Sequence, residues 1–183
     1  AGQGTAIVEA LDTLASEQID VDAVMAPIGG GGLMAGTCIA TKGWFRQHQK
    51  KEILIYGAEP TMANDAQRSL ALGIHQKSHQ SGQPNTICDG LLTTLGSLNY
   101  EILSQMLSGI YDSNDDDILK AMSLIWTRMK ILIEPSSATV LSAVLSPQFK
   151  DEIKTKKIKT MVLILSGGNV DIVQMGSKLS MIS

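Results

Sequence analysis

The chain has 183 residues, 44% of them apolar, with a formal net charge of −3 and a mean hydropathy of +0.10. That is enough apolar material for the packed core of one ordinary domain; the slight acidity argues against a nucleic-acid surface and requires any anionic ligand to be held by local geometry. No stretch approaches the roughly 18 continuous apolar residues of a membrane span, and Cys38 and Cys88, far apart and without metal-ligand spacing, point to a reduced, cytoplasmic setting.

The first residues, Ala1-Gly2-Gln3-Gly4, carry neither an initiator Met nor a signal-peptide pattern and read as the interior of a longer protein. Residues 5–16 place Ile7, Val8, Leu11 and Leu14 at helical spacing. Residues 23–28 read as a buried strand and residues 33–45 as a helix, with Gly29, Gly30, Gly31 and Gly32 between them. A strand, glycines and a helix start form a phosphate-holding arrangement. Glycine lets the backbone approach closely and take φ > 0, and the free N–H groups of the helix start face an anion. The spacing is not the six-residue dinucleotide fingerprint, and no Lys-Ser/Thr follows as in a nucleoside-triphosphate loop. A plain tight turn is the competing reading.

Residues 51–58 predict a second strand, and residues 64–72 a helix stopped by Gly73. Residues 73–85 are polar and loop-like; His75 and His79, four apart in this stretch, read as surface histidines. Residues 97–107 predict a helix and residues 109–111 a short extended piece. Ser113 is placed as the N-cap of the next helix, with Asp115, Asp116 and Asp117 complementing its dipole rather than binding metal. That helix runs to about Leu132, with Met122, Ile125, Trp126 and Met129 as its core stripe. Pro135 opens another, to about Leu145. Residues 154–159 read as a basic exposed segment. Residues 160–165 form an apolar run expected at the centre of a parallel sheet, ending in Ser166-Gly167-Gly168-Asn169. The alternation predicts an α/β chain, a parallel sheet with helices on both faces. Ligands bind such sheets at the carboxyl ends of the strands, where the glycine loop, the Ala58-Glu59-Pro60 turn and residues 166–169 all fall.

Taken together, several segments resemble the fold-type II pyridoxal-phosphate enzymes of the serine racemase / serine–threonine dehydratase family. They are Ala1-Gly2-Gln3-Gly4-Thr5, the glycine loop, Ala58-Glu59-Pro60, Thr86-Ile87-Cys88-Asp89-Gly90, Arg128-Met129-Lys130, Ile133-Glu134-Pro135 and Leu165-Ser166-Gly167-Gly168-Asn169-Val170-Asp171. They keep the family's order and span nearly the whole chain.

The resemblance implies that the backbone amides of Gly29, Gly30, Gly31 and Gly32, with Leu33, cradle the phosphate of pyridoxal 5′-phosphate, and that Ser166 hydrogen-bonds its pyridine nitrogen. A serine is a neutral partner, which makes the ring a milder electron sink than one paired with a carboxylate. Glu59, Ala63 and Asp65 can bring two carboxylates and a backbone carbonyl together after a strand. Oxygen donors of this kind suit Mg²⁺ or Ca²⁺, and the family places a divalent cation, Mg²⁺, Ca²⁺ or Mn²⁺, at these positions. Lys130 and Asn169 fall where the racemase branch builds an ATP effector site between subunits. The family's Schiff-base lysine, in a Ser/Thr-x-Lys-x-Arg-Gly context, has no counterpart among these residues. The expectation is therefore that residues 1–183 are the C-terminal part of the parent enzyme, mostly its large cofactor-binding domain, and inactive alone. The parent would be a homodimer acting on serine or threonine. Nothing after Asn169 resembles a regulatory amino-acid-binding domain, which favours the racemase or catabolic dehydratase branch. A non-catalytic module that pairs with an intact homologue is the alternative.

Overall fold

A computed structural model describes residues 2–79 and 82–181. Its centre is a four-stranded, wholly parallel sheet: β1 (Ala23–Pro27), β2 (Leu54–Pro60), β3 (Gly109–Ser113) and β4 (Met161–Leu163), in the order β3-β2-β1-β4. The helices are α1 (Thr5–Ser16), α2 (Gly32–Gln47), α3 (Asp65–Leu72), α4 (Ser97–Met106), α5 (Asp115–Leu124), α6 (Pro135–Leu145), α7 (Pro147–Lys156) and α8 (Ile172–Ser180).

Period-two alternation along β1 sends its side chains to two different cores. Val24 and Ala26 pack with Ile55, with Ile7 and Leu11 of α1, and with Met34 and Cys38 of α2. Ala23 and Met25 face the other way, onto Tyr56, Val140 and Ala143 of α6, and Phe149 of α7. A third cluster joins Ile118, Leu119 and Met122 of α5 to Cys88, to Ala138 of α6 and to Met175 of α8. The sheet is thus covered on both faces, which is why β1 and most of β2 read as continuous apolar runs.

The strand order carries the functional consequence. The chain moves from β1 to β2 to β3 in one direction, then returns to place β4 on the other side of β1. That reversal is a topological switch point, and the crevice it opens at the carboxyl ends of β1 and β4 is where doubly wound sheets take their ligands. Asp22 anchors the opposite end, accepting from the N–H groups of Lys159 (2.8 Å) and Thr160 (3.1 Å). These bonds hold its carboxyl below the ordinary range despite opposition from desolvation.

Several expectations are corrected. β4 is an edge strand among the described residues, and its side chains are half-buried rather than central. An apolar run reports helix cover on both faces, not a strand neighbour on both sides. Asn114, not Ser113, caps α5, its side chain accepting from the Asp117 N–H at 2.9 Å. The helix then loosens into a π-turn over Ile125–Met129 and stops at Lys130, held at φ 60°, so it does not reach Leu132. Met129 is consequently exposed, while Met122 and Ile125 are buried as the stripe predicts. Residues 154–156 are the last turn of α7, a helix whose start is marked in the sequence by the Ser146-Pro147 pair. The start of α8 likewise carries the signature of a capping box, Asp171 accepting from the Gln174 N–H.

Burial pushes the thiols of both Cys38 and Cys88 up to about 12. Both should therefore stay silent to a disulfide reagent at about pH 8 while the chain is folded, and react together on unfolding. Native-state labelling of either at the rate of an exposed thiol would contradict this packing.

Candidate functional site

β1 runs directly into the glycine loop. Gly31 caps α2 at φ +85°, with no side-chain hydrogen bond of its own. A β-carbon at Gly31 would lie 2.5 Å from Leu95 Cδ1 and 2.9 Å from Asn99 Cβ, and one at Gly29 would lie 3.2 Å from the Gly90 carbonyl oxygen. The loop is glycine both for its left-handed turn and for the segment pressed against its back. Asn99 Nδ2 (2.6 Å) and the Gly96 N–H (3.1 Å) both donate to the Gly30 carbonyl and fix its path. Among the described residues, the first-turn amides of Gly32, Leu33 and Met34 have no acceptor, and no acidic residue stands in that turn. Unsatisfied amides at the positive end of a 16-residue helix fit a phosphate.

β4 ends beside this nest. Met25 is level with Leu163, and the Ile164 N–H donates to the Met25 carbonyl at 2.9 Å. Continuing that register sets Ser166 level with Ile28, the residue before the glycines, about 4.8 Å away across one strand spacing. Ser166 is exposed at this edge. The nest and the serine therefore flank the switch point from its two sides.

Residues that the sequence reading did not select connect these sides. The Glu134 N–H donates to the Gly167 carbonyl (3.1 Å), and its Oε2 accepts from the Asn169 N–H (3.2 Å). Ser136 Oγ accepts from the Gly90 N–H at 3.0 Å. A β-carbon at Gly168 would sit 2.7 Å from the Leu132 carbonyl oxygen. Residues 130–134 and 166–169 are thus packed together, leaving Lys130 and Asn169 both exposed at their junction.

The acidic group lies one strand further along. Glu59, at the end of β2, is 1% exposed; its Oε1 and Oε2 accept from the N–H groups of Ala66 (3.1 Å) and Gln67 (2.8 Å) at the start of α3. Asp65 is equally buried, and its Oδ2 accepts from the Leu95 N–H at 2.7 Å. Burial drives the Glu59 carboxyl well above its usual range; the two N–H bonds oppose this, and Asp65 and Asp112 add to it. Among the described residues, no Lys or Arg pairs with Glu59 or Asp65. Buried carboxylates left without a basic side chain, beside the buried Ala63 backbone, suit a hard cation. No three His, Cys, Asp or Glu side chains form a metal cluster among the described residues, so such an ion would rest on two carboxylates, a backbone carbonyl and water.

The histidines are not surface groups. His79 is 8% exposed, with Nε2 donating to the Leu92 carbonyl (2.9 Å) and Nδ1 3.3 Å from Asp65 Oδ1. His75 is half-buried, bonded to the Leu95 carbonyl at 2.7 Å and stacked on Tyr100. A polar loop composition conceals these contacts because both histidines bind carbonyls that are more than ten residues away.

A doubly wound parallel sheet with an anion nest at its switch point defines a phosphate-binding α/β domain. The chain matches the family model "Pyridoxal-phosphate dependent enzyme" over residues 1–167 and belongs to that family. It is 49% identical over 173 residues to serine racemase of Dictyostelium discoideum, covering 94% of this chain and 49% of that protein. The crystal structure of that racemase superposes with a TM-score of 0.78 at 46% identity, over 93% of this chain and 50% of that one. A bacterial-strain threonine deaminase, designated T.th., superposes with a TM-score of 0.80 at 37% identity, over 93% of this chain and 58% of that one. The chain spans about half the length of the curated relatives it matches. No helix among the described residues is long and apolar enough to cross a membrane.

Proposed function

We propose that this chain is the cofactor-holding part of a pyridoxal-phosphate-dependent amino-acid enzyme of the serine racemase and dehydratase type, one that converts L-serine to D-serine and serine to pyruvate and ammonia. The observation that carries this reading is the register that sets Ser166 beside the glycine nest across the β1/β4 switch point. Pyridoxal phosphate, when bound, supplies an electron sink for the charge left by removal of the substrate α-proton. The amides of Gly29, Gly30, Gly31, Gly32 and Leu33 hold the phosphate. Ser166 offers a neutral hydroxyl to the ring nitrogen, which therefore need not carry a proton. Glu59, Ala63 and Asp65 hold Mg²⁺, Ca²⁺ or Mn²⁺. That site braces the nest, because the amide held by Asp65 is that of Leu95, whose side chain packs against Gly31. Lys130 and Asn169, exposed on adjoining segments, receive a nucleotide effector such as ATP, and the whole enzyme works as a cytoplasmic homodimer. No lysine here lies in the Schiff-base motif, so catalysis needs the complementary half.

Likeness to the T.th. threonine deaminase favours a second substrate reading, dehydration of threonine. Both are tested by co-expressing the chain with the lysine-bearing half of a relative and supplying L-serine and L-threonine. D-serine together with pyruvate is expected; 2-oxobutyrate in their place would select the threonine reading. A pyridoxal-phosphate-loaded assembly that forms none of the three would refute both.

A further inference from the structure

Resting on the cofactor reading above, we infer that Glu134 is the positioning residue that sets the Ser166 hydroxyl at the correct distance from the phosphate nest. Ser166 sits on a short segment beyond the last paired residue of β4, so the strand ladder alone does not fix it. Glu134 does so from two directions. Its backbone N–H holds the Gly167 carbonyl (3.1 Å) and its carboxylate holds the Asn169 N–H (3.2 Å), gripping the residues that follow Ser166.

The same carboxylate is wedged between two glycines. A β-carbon on Gly167 would lie 2.6 Å from Oε1, and one on Gly90 would lie 3.3 Å from it. Gly90 is in turn the residue whose carbonyl closes against Gly29. A continuous line therefore runs from the nest at Gly29, through Gly90 and Glu134, to Gly167 and Ser166. Pro135 opens α6 immediately after Glu134, and Ser136 Oγ ties that helix start to the Gly90 N–H at 3.0 Å. The spacer is thus mounted on a rigid element rather than a loop, which a positioning residue needs.

The test uses this chain with pyridoxine 5′-phosphate, which carries the ring nitrogen and phosphate but no aldehyde to label surface lysines. Its dissociation constant and ring absorbance maximum are read for wild type, Ser166→Ala, Glu134→Ala, Glu134→Gln and Gly167→Ala, with inorganic phosphate as the control ligand. Ser166→Ala and Glu134→Ala should each weaken binding about tenfold, the worth of one hydrogen bond made or lost. Both should shift the absorbance in the same direction, and the double variant should lose no more than either alone. Gly167→Ala should behave like Glu134→Ala, because the new methyl displaces the carboxylate, and should cost nothing further once Glu134 is already alanine. Glu134→Gln keeps an oxygen for the Asn169 N–H and should restore binding to within about twofold. Affinity for inorganic phosphate should not change across the series. Loss on Ser166→Ala with both readouts unchanged in Glu134→Ala would overturn the positioning role and leave the cofactor reading standing. A wild type that binds pyridoxine 5′-phosphate no more tightly than inorganic phosphate would overturn the cofactor reading, and this inference with it.

Discussion

Replacing Gly31 with alanine should lower stability by about 3 kcal/mol and weaken phosphate-ligand binding by more than about tenfold. The left-handed φ of +85° costs an L-residue about 1–2 kcal/mol. The added methyl also arrives 2.5 Å from Leu95 Cδ1 and 2.9 Å from Asn99 Cβ, an overpacking of the kind that costs about 1–3 kcal/mol. Relief requires Asn99 to move, and Asn99 holds the Gly30 carbonyl, so the nest opens as the clash is relieved. Gly32→Ala is the control. A β-carbon there meets nothing within 4 Å, so the variant should melt like the wild type. Thermal melts with phosphate titrations check both; equal stability of the two variants would mean that the loop is not built as described.

Asp65→Ala should cost about 2–3 kcal/mol, because the Leu95 amide is left buried without its acceptor. At this chain length that is a fall of roughly 5–10 °C in melting temperature. The same substitution should abolish any rise in melting temperature on adding Mg²⁺ or Mn²⁺, since Asp65 is one of the two carboxylates proposed to hold the ion. It should also reduce affinity for phosphate ligands, because Leu95 packs directly on Gly31. Calorimetric melts with and without the cations read the first two effects. A wild type whose melting ignores all three of Mg²⁺, Ca²⁺ and Mn²⁺ would remove the cation from the account while leaving the hydrogen bond to Leu95 in place.

The features legible in the sequence are those encoded over short distances. The glycine loop follows a buried strand and opens a helix, so its geometry is local, and the structure gives its N-cap a φ of +85°. The helix start at Pro135, the acidic first turn from Asp115 and the stop at Gly73 follow capping chemistry and fall where expected. What escaped depends on partners distant along the chain. Glu134 reads as a residue before a proline, and only the fold brings its carboxylate to the amide of Asn169, 35 residues on. His79 reads as loop polarity until Asp65 and Leu92 close around it. The edge position of β4 is invisible for a different reason: helices on both faces make any such strand apolar, whatever lies beside it.

Close approach of segments also explains why the loops around the crevice are so rich in glycine. Gly29, Gly31, Gly90, Gly167 and Gly168 each face backbone or side-chain atoms within 3.3 Å of where a β-carbon would stand. These contacts join segments after β1, after α3, before α6 and after β4 into one rim. Rigidity in that rim is what lets a neutral hydroxyl and a set of backbone amides act at fixed separation.

The most direct measurement is a crystal structure of this chain with pyridoxine 5′-phosphate. It should show phosphate oxygens about 2.9 Å from the amides of Gly32 and Leu33, and the ring nitrogen about 2.8 Å from Ser166 Oγ. A phosphate bound away from the glycine loop, or a ring whose nitrogen turns from Ser166, would contradict the claim that β1 and β4 together grip one coenzyme.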